Sequence, residues 1–332
     1  MGEDDQRKEP DRATDAEVRL QPHRRRARRP AVVRRRSDAA RLHDRRSARG
    51  SRRVLTEARP GLVELPLALL AITRPDDPRL DPFRWRERRL VGPQQQREGG
   101  PLFIAEGDLV TQRAMEAGCE PVAVLCSEKG EARLATFAPD YARYSFLASE
   151  ELRRNITGLG VPLDVISLFK RPEPGDLSRL ATRFTCGVLV DHVDNPVNIG
   201  SITRNAAALG WDAMFLDSNS GDPLARRALR VSMGNAFHLP YARVPDVASF
   251  VASLKAAGVA TIALTPSADA EPLSTVRIDV PRRLLLLGSE RDGLDADVMS
   301  VCSHRVRIEM GDGVDSLNVA AASAIACYTL RK

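Results

Sequence analysis

Five polar side chains stand where apolar runs give way to loops and helix patterns: Asn198 and Arg204, Glu290, and Ser316 with Asn318. Crossings of this kind are where open α/β sheets bind ligands. Arg204 follows Asn198 on the second turn of an expected helix. From there a guanidinium can reach back over the loop and hold a phosphate or another planar anion, or pair with a neighbouring helix instead. Asn198 offers an amide to a ligand or to a helix N-terminus. Glu290 sits mid-loop in Gly288-Ser289-Glu290-Arg291-Asp292-Gly293, bracketed by two glycines that let backbone groups approach a ligand. Its carboxylate can touch that ligand or pin the loop by accepting backbone N–H groups. Ser316 and Asn318 follow the Gly/Asp-rich loop Gly311–Asp315, and Asp315 or Ser316 is the expected cap of the last helix.

The elements that must carry these residues alternate regularly from Phe184 onward. Strands are expected over Gly187–Asp191, Ala213–Asp217, Val259–Leu264 and Arg283–Leu287, with a last one around Val306. Helices are expected over Ile199–Leu209, Pro223–Met233, Val247–Ala257 and Asp295–Cys302, followed by a final alanine-rich helix. Apolar strands without polar alternation imply a parallel sheet covered on both faces. Ala320, Ala321, Ala322, Ala324 and Ala326 favour helix and add little bulk, so other backbone can pass close to that final helix. A smaller α/β unit is expected over residues 101–175, bounded by Pro172-Glu173-Pro174-Gly175, with a linker over 61–100.

The chain has 332 residues and a net charge of +6, but the charge is unevenly placed. Residues 1–60 hold 19 Arg and Lys against 10 Asp and Glu, so the remainder is net negative. Arg24–Arg53 contains 14 Arg and few apolar residues, the composition of a disordered arm that either lies along RNA phosphates or is a solvated tail. Because this arm makes the chain basic, the overall pI carries no argument for nucleic acid. The five cysteines, Cys119, Cys126, Cys186, Cys302 and Cys327, lack metal-site spacing, and buried thiols with no metal are expected. Leu65–Ile72 falls far short of the roughly 20 apolar residues a membrane span needs, and no signal peptide pattern opens the chain. A cytoplasmic protein with no membrane association is expected. Neither a Gly-x-Gly-x-x-Gly fingerprint nor a Gly-x-x-x-x-Gly-Lys-Ser/Thr phosphate loop occurs, which weakens the case for an ordinary nucleotide-binding enzyme.

Taken in order, the motifs are more specific than any one alone. Asn195-Pro196-x-Asn198-x-Gly200-x-x-x-Arg204, Gly288-Ser289-Glu290-x-x-Gly293, Ile308-x-Met310 and Ser316-Leu317-Asn318-Val319 resemble the three motifs of the SpoU/TrmH family of RNA ribose 2′-O-methyltransferases, in the SPOUT superfamily. Val197 stands where many members have Gly, and Asn195 where many have Asp. The resemblance covers about 72–330 and is strongest after Gly187. It implies a SPOUT-type parallel sheet over 184–332 with helices on both faces and a carboxyl-terminal trefoil knot. Residues 101–175 resemble the L30e-like α/β domain with which many members bind RNA.

The resemblance also implies S-adenosyl-L-methionine (AdoMet) as cofactor, rRNA or tRNA as substrate, and a homodimer whose active sites draw on both subunits. Arg204 would stand at the ribose hydroxyl as base or orienting group, with Asn198, Glu290, Ser316 and Asn318 around it. Thr265, Gly288, Ser289, Glu290, Gly293, Ile308, Met310, Leu317 and Asn318 would hold the cofactor. The alternative is a non-catalytic RNA-binding protein on the same fold, which would not require that polar set.

Overall fold

The computed structural model describes residues 70–138, 145–158 and 160–331. The basic arm expected over residues 1–60 lies outside the described residues. The described residues form one compact unit holding two sheets.

The first sheet is mixed. It contains β1 (Leu70–Ala71), β2 (Leu102–Glu106), β3 (Pro121–Cys126), β4 (Ser145–Leu147) and β5 (Val165–Lys170), in the order β1-β4-β3-β5-β2. β5 runs antiparallel to both β2 and β3, while β4 is parallel to β3 and β1. The described part of the expected linker belongs to this fold. β1 adds an edge strand, and Leu80, Phe83 and Leu90 are fully buried beneath the sheet. Charged residues surround these three anchors, so the segment lacks the apolar periodicity that marks a packed element.

The second sheet is wholly parallel. β6 (Cys186–Val190), β7 (Ala213–Asp217), β8 (Tyr241–Val244), β9 (Ala260–Leu264), β10 (Glu271–Pro272), β11 (Arg283–Leu287) and β12 (His304–Arg307) lie in the order β10-β12-β9-β11-β6-β7-β8. The run Leu284–Leu287 explains the two covered faces. Leu285 and Leu287 enter one core with Val188, Val190 and Ile262, and Leu284 and Leu286 enter the other with Leu189, Phe215 and Val251. Strand side chains alternate faces, so a continuous leucine run needs apolar cover on both. Each such buried leucine contributes about 1.5–3 kcal/mol.

The two sheets share a core. Phe103 and Phe169 of the first stack at 5.2 Å and pack with Leu224, Leu229 and Ala236, which follow β7. Polar groups close the same joint. Glu106, 2% exposed, accepts from Arg226 Nε at 2.5 Å and from Arg230 Nη1 at 3.2 Å. Arg171 pairs with Asp222 at 2.5 Å.

Candidate active site

Because the second sheet is parallel, the carboxyl ends of its adjacent strands β12, β9, β11 and β6 share one edge. The loops leaving β9, β11 and β12 enclose a cavity of about 750 Å³. Thr265, Gly288, Ser289, Glu290, Gly293, Ile308, Met310, Ser316 and Leu317, all singled out in the sequence, line it.

The loop after β11 is a tight hairpin-like turn. Ser289 N–H donates to Gly293 O at 3.0 Å, and Gly293 N–H returns to Ser289 O at 3.2 Å. Ser289 Oγ also accepts from Asp292 N–H at 3.0 Å. Gly293 has φ +72°, a conformation that L side chains rarely adopt. A Cβ on Gly288 would lie 2.1 Å from the Gly293 carbonyl carbon, so the two glycines touch backbone to backbone. This turn carries Glu290 at its exposed tip.

Glu290 joins the three motifs. Its Oε1 accepts from Asn198 Nδ2 at 2.6 Å and from Asn318 Nδ2 at 2.7 Å. Asn318 Nδ2 also lies 3.2 Å from Asn198 Oδ1. Asn198 is 4% exposed, so its amide depends on these partners. Asn318 has a second task, because its Oδ1 accepts from Ala320 N–H at 2.9 Å and Ala321 N–H at 3.4 Å. It is therefore the N-cap of the final helix Val319–Thr329, in place of the expected Asp315 or Ser316. The helix starts later because the side chain that caps it also meets Glu290.

Asn198 lies on the helix Pro196–Ala208, whose N-cap is Asn195, accepting from Val197 N–H at 2.9 Å. Arg204 is on this helix too, but on its exposed side. It makes no hydrogen bond or ion pair among the described residues, and it does not line the cavity. Six positions on a helix turn a side chain about 240°, which separates Arg204 from Asn198. The fold thus gathers every expected site residue except Arg204 at or beside the cavity.

Other residues here were not singled out in the sequence. Asn205 Nδ2 donates to Ala320 O and Ser323 Oγ, both at 2.9 Å, and stitches the Arg204 helix to the final helix. Pro266, Ser267 and Ala268 line the cavity beside Thr265, and their position after an inner strand was the available signal. Asp191, 1% exposed, directly follows β6, with its Oδ1 3.1 Å from His192 Nδ1. Burial, followed by the negative charges of Asp217 and Asp295, lifts its carboxyl above the usual range against the pull of His192. Asp191, His192 and Asp295 bring possible ligand atoms within 4.8 Å of one another. Cys126 and Cys327 are pushed up to about 12 and Cys302 to about 11, chiefly by burial, which makes them core thiols.

Residues 186–328 match the model of the SpoU rRNA methylase family. The chain is 39% identical over 263 residues to an uncharacterised tRNA/rRNA methyltransferase of Mycobacterium bovis, covering 76% of this chain and 88% of that one. It is 30% identical to the 23S rRNA (uridine(2479)-2′-O)-methyltransferase of Streptomyces viridochromogenes, over 72% of this chain and 85% of that one. The crystal structure of an AdoMet-bound rRNA methyltransferase from Sinorhizobium meliloti superposes with TM-score 0.65 and 25% identity, covering 79% of this chain and 97% of that one. With the motifs meeting at Glu290 and this likeness extending across both sheets, the chain belongs to the SpoU rRNA methylase family.

Proposed function

We propose that this chain transfers a methyl group from AdoMet to a ribose 2′-OH of RNA. The observation that carries the reading is the Asn198–Glu290–Asn318 junction at the rim of the cavity. It holds the cofactor loops against the helix that bears Arg204. The cavity suits AdoMet in size and lining. Its volume lies within the range of small-molecule pockets, and it pairs apolar walls from Ile308, Met310 and Leu317 with Thr265, Ser289 and Ser316. AdoMet supplies the electrophilic methyl group, so no metal is needed to generate a reactive species.

In this reading Thr265, Gly288, Ser289, Gly293, Ile308, Met310 and Leu317 hold the cofactor. Glu290 keeps the loops after β11 and β12 in register, and Asn198 and Asn318 fix Glu290. A ribose hydroxyl is a poor nucleophile until its proton is drawn away. Arg204 has no hydrogen bond or ion pair among the described residues and is free to meet RNA. A guanidinium, already protonated, is better suited to orienting the hydroxyl and its phosphate, and to stabilising developing negative charge, than to accepting the hydroxyl's proton. Ser316 beside the cavity adds a hydroxyl to the same contact region.

A homodimer completes the proposal. Ile325 and Tyr328 stay 41% and 57% exposed on the final helix, an apolar surface that a second copy would cover and that would bring further groups to Arg204. The carboxyl-terminal trefoil knot is supported by the path of the chain. From β11 it passes beyond β9 to form β12, and it returns so that the final helix packs on β11 and on the helix Pro196–Ala208. The first sheet, β1 included, together with the segment 78–90 that packs on it, serves as an L30e-like RNA-holding domain, and 184–332 as the methyltransferase domain. Among the described residues no helix is long and apolar enough to cross a membrane.

The test is single-turnover transfer of labelled methyl to total RNA, followed by nuclease digestion. Label on 2′-O-methyl nucleosides is expected. Label on a base, or none in any RNA fraction, refutes the reading.

A further inference from the structure

The segment Pro78–Leu90 covers the first sheet and shows a sharp change in charge pairing along its length. Its earlier arginines are neutralised locally. Arg79 pairs with Asp77 at 2.5 Å and Arg84 with Asp81 at 3.1 Å, while just upstream Arg74 pairs with Asp76 at 2.6 Å. The next three are not. Arg86, Arg88 and Arg89 are exposed and have no carboxylate partner among the described residues. The one nearby acid, Glu87, turns inward, and its Oε1 accepts from Arg226 N–H at 2.7 Å. Trp85 lies among these arginines, half-buried, with the Arg89 guanidinium carbon 4.2 Å from its ring centroid. With the Asp81–Arg84 pair at its edge, they line a depression of about 500 Å³, separate from the cofactor cavity.

We propose that Trp85, Arg86, Arg88 and Arg89 form a second RNA-holding surface, which grips a single-stranded segment of the substrate away from the methylated nucleotide. Unpaired guanidinium groups bind phosphates, and an aromatic face or a guanidinium plane stacks on an unpaired base. Trp85 also packs partly against the core that holds Leu80, Phe83 and Leu90, which fixes its ring among the arginines. The inference rests on the methyltransferase reading, because it takes RNA as the substrate.

The surface is also fixed relative to the reaction site. Arg226 donates through its backbone to Glu87 and through Nη1 to Phe83 O at 3.2 Å, which ties the segment to the helix Arg226–Val231. That helix packs tightly against the helix Pro196–Ala208. A Cβ on Gly200 would lie 2.5 Å from Ala228 O. The path therefore runs through rigid elements from the arginines to the helix bearing Arg204. RNA held at one end would reach the other at a set spacing, so this surface selects substrates by the distance between a single-stranded segment and the target ribose.

The test uses the full chain, so that residues 1–60 contribute equally to every variant. Binding of a short fluorescein-labelled single-stranded RNA, and of the same sequence as a duplex, is measured against salt concentration. Arg86→Ala/Arg88→Ala/Arg89→Ala should weaken single-strand binding at least about tenfold and lower the slope of log affinity against log salt by about 2, the scale of three lost phosphate contacts. Trp85→Leu, which keeps an apolar side chain, should weaken single-strand binding by about tenfold and duplex binding far less. With total RNA as substrate, both variants should raise KM and keep kcat, and AdoMet binding should be unchanged. An unaltered salt slope, or a fall in kcat at unchanged KM, overturns the proposal. Failure of wild-type protein to label any ribose overturns the methyltransferase reading instead, and the salt slopes remain a separate readout.

Discussion

Asn198 Nδ2 donates to Glu290 Oε1 at 2.6 Å, across 92 residues of chain. Glu290 → Ala removes the acceptor that this buried amide shares with Asn318. An unsatisfied buried amide costs about 1–3 kcal/mol, and the loops after β11 and β12 lose their common anchor. The expected result is AdoMet affinity weakened about tenfold or more, since about 1.4 kcal/mol is tenfold. Titration calorimetry on the variant checks this, and wild-type affinity would remove Glu290 from its assigned role.

Gly288 separates backbone contact from side-chain chemistry. With Gly293 2.1 Å from where a Cβ would stand, Gly288→Ala must push the turn open. Wild-type protein should bind AdoMet on the micromolar scale, about −8 kcal/mol, and the alanine variant should show no measurable heat. Gly293→Val should also lose binding, for a different reason, since its φ of +72° strains any branched residue. An intact far-UV spectrum with normal AdoMet binding in both variants would place the cofactor elsewhere.

Arg204 stands apart from the cavity, so its loss should spare the cofactor. Arg204→Ala is expected to bind AdoMet normally and to transfer methyl at least about a hundredfold more slowly, the usual scale for losing a group that positions or moves a proton. Arg204→Lys should rescue little, because a point charge lacks the planar fork. Single-turnover rates at saturating RNA decide the matter, and a wild-type rate for Arg204→Ala sinks the assignment.

Asp191 links the site to stability. Burial holds its carboxyl above the ordinary 3.8 in the folded chain. The folded state therefore takes up its proton more readily than the unfolded state does. Its contribution to stability falls as pH rises from the unfolded value through the raised folded value, and it stays unfavourable at neutral pH. Asp191→Asn should accordingly unfold at higher urea than wild type at neutral pH, with the advantage fading as pH drops toward 3.8. A constant difference across that range would mean that charge burial is not the cause.

What the sequence determined by itself was local. Ala213–Asp217 and Arg283–Leu287 were legible to the residue, because a buried parallel strand is a short unbroken apolar run between loops. Gly288, Glu290, Gly293, Ser316 and Asn318 on the loops after β11 and β12 were legible too, since Gly and polar residues at a strand's end are distinctive against such runs, whereas Thr265, Ile308, Met310 and Leu317 came only from the family resemblance. β8, β5 and the anchors Leu80, Phe83 and Leu90 were not, because their burial comes from partners far along the chain and leaves no local period. Only the tertiary structure decided that Asn318, rather than Asp315 or Ser316, caps the final helix. The reason is that its amide is held by Glu290, 28 residues earlier. The same holds for Arg204, whose type and spacing pointed to the site, while packing turned it outward, exposed and away from the cavity.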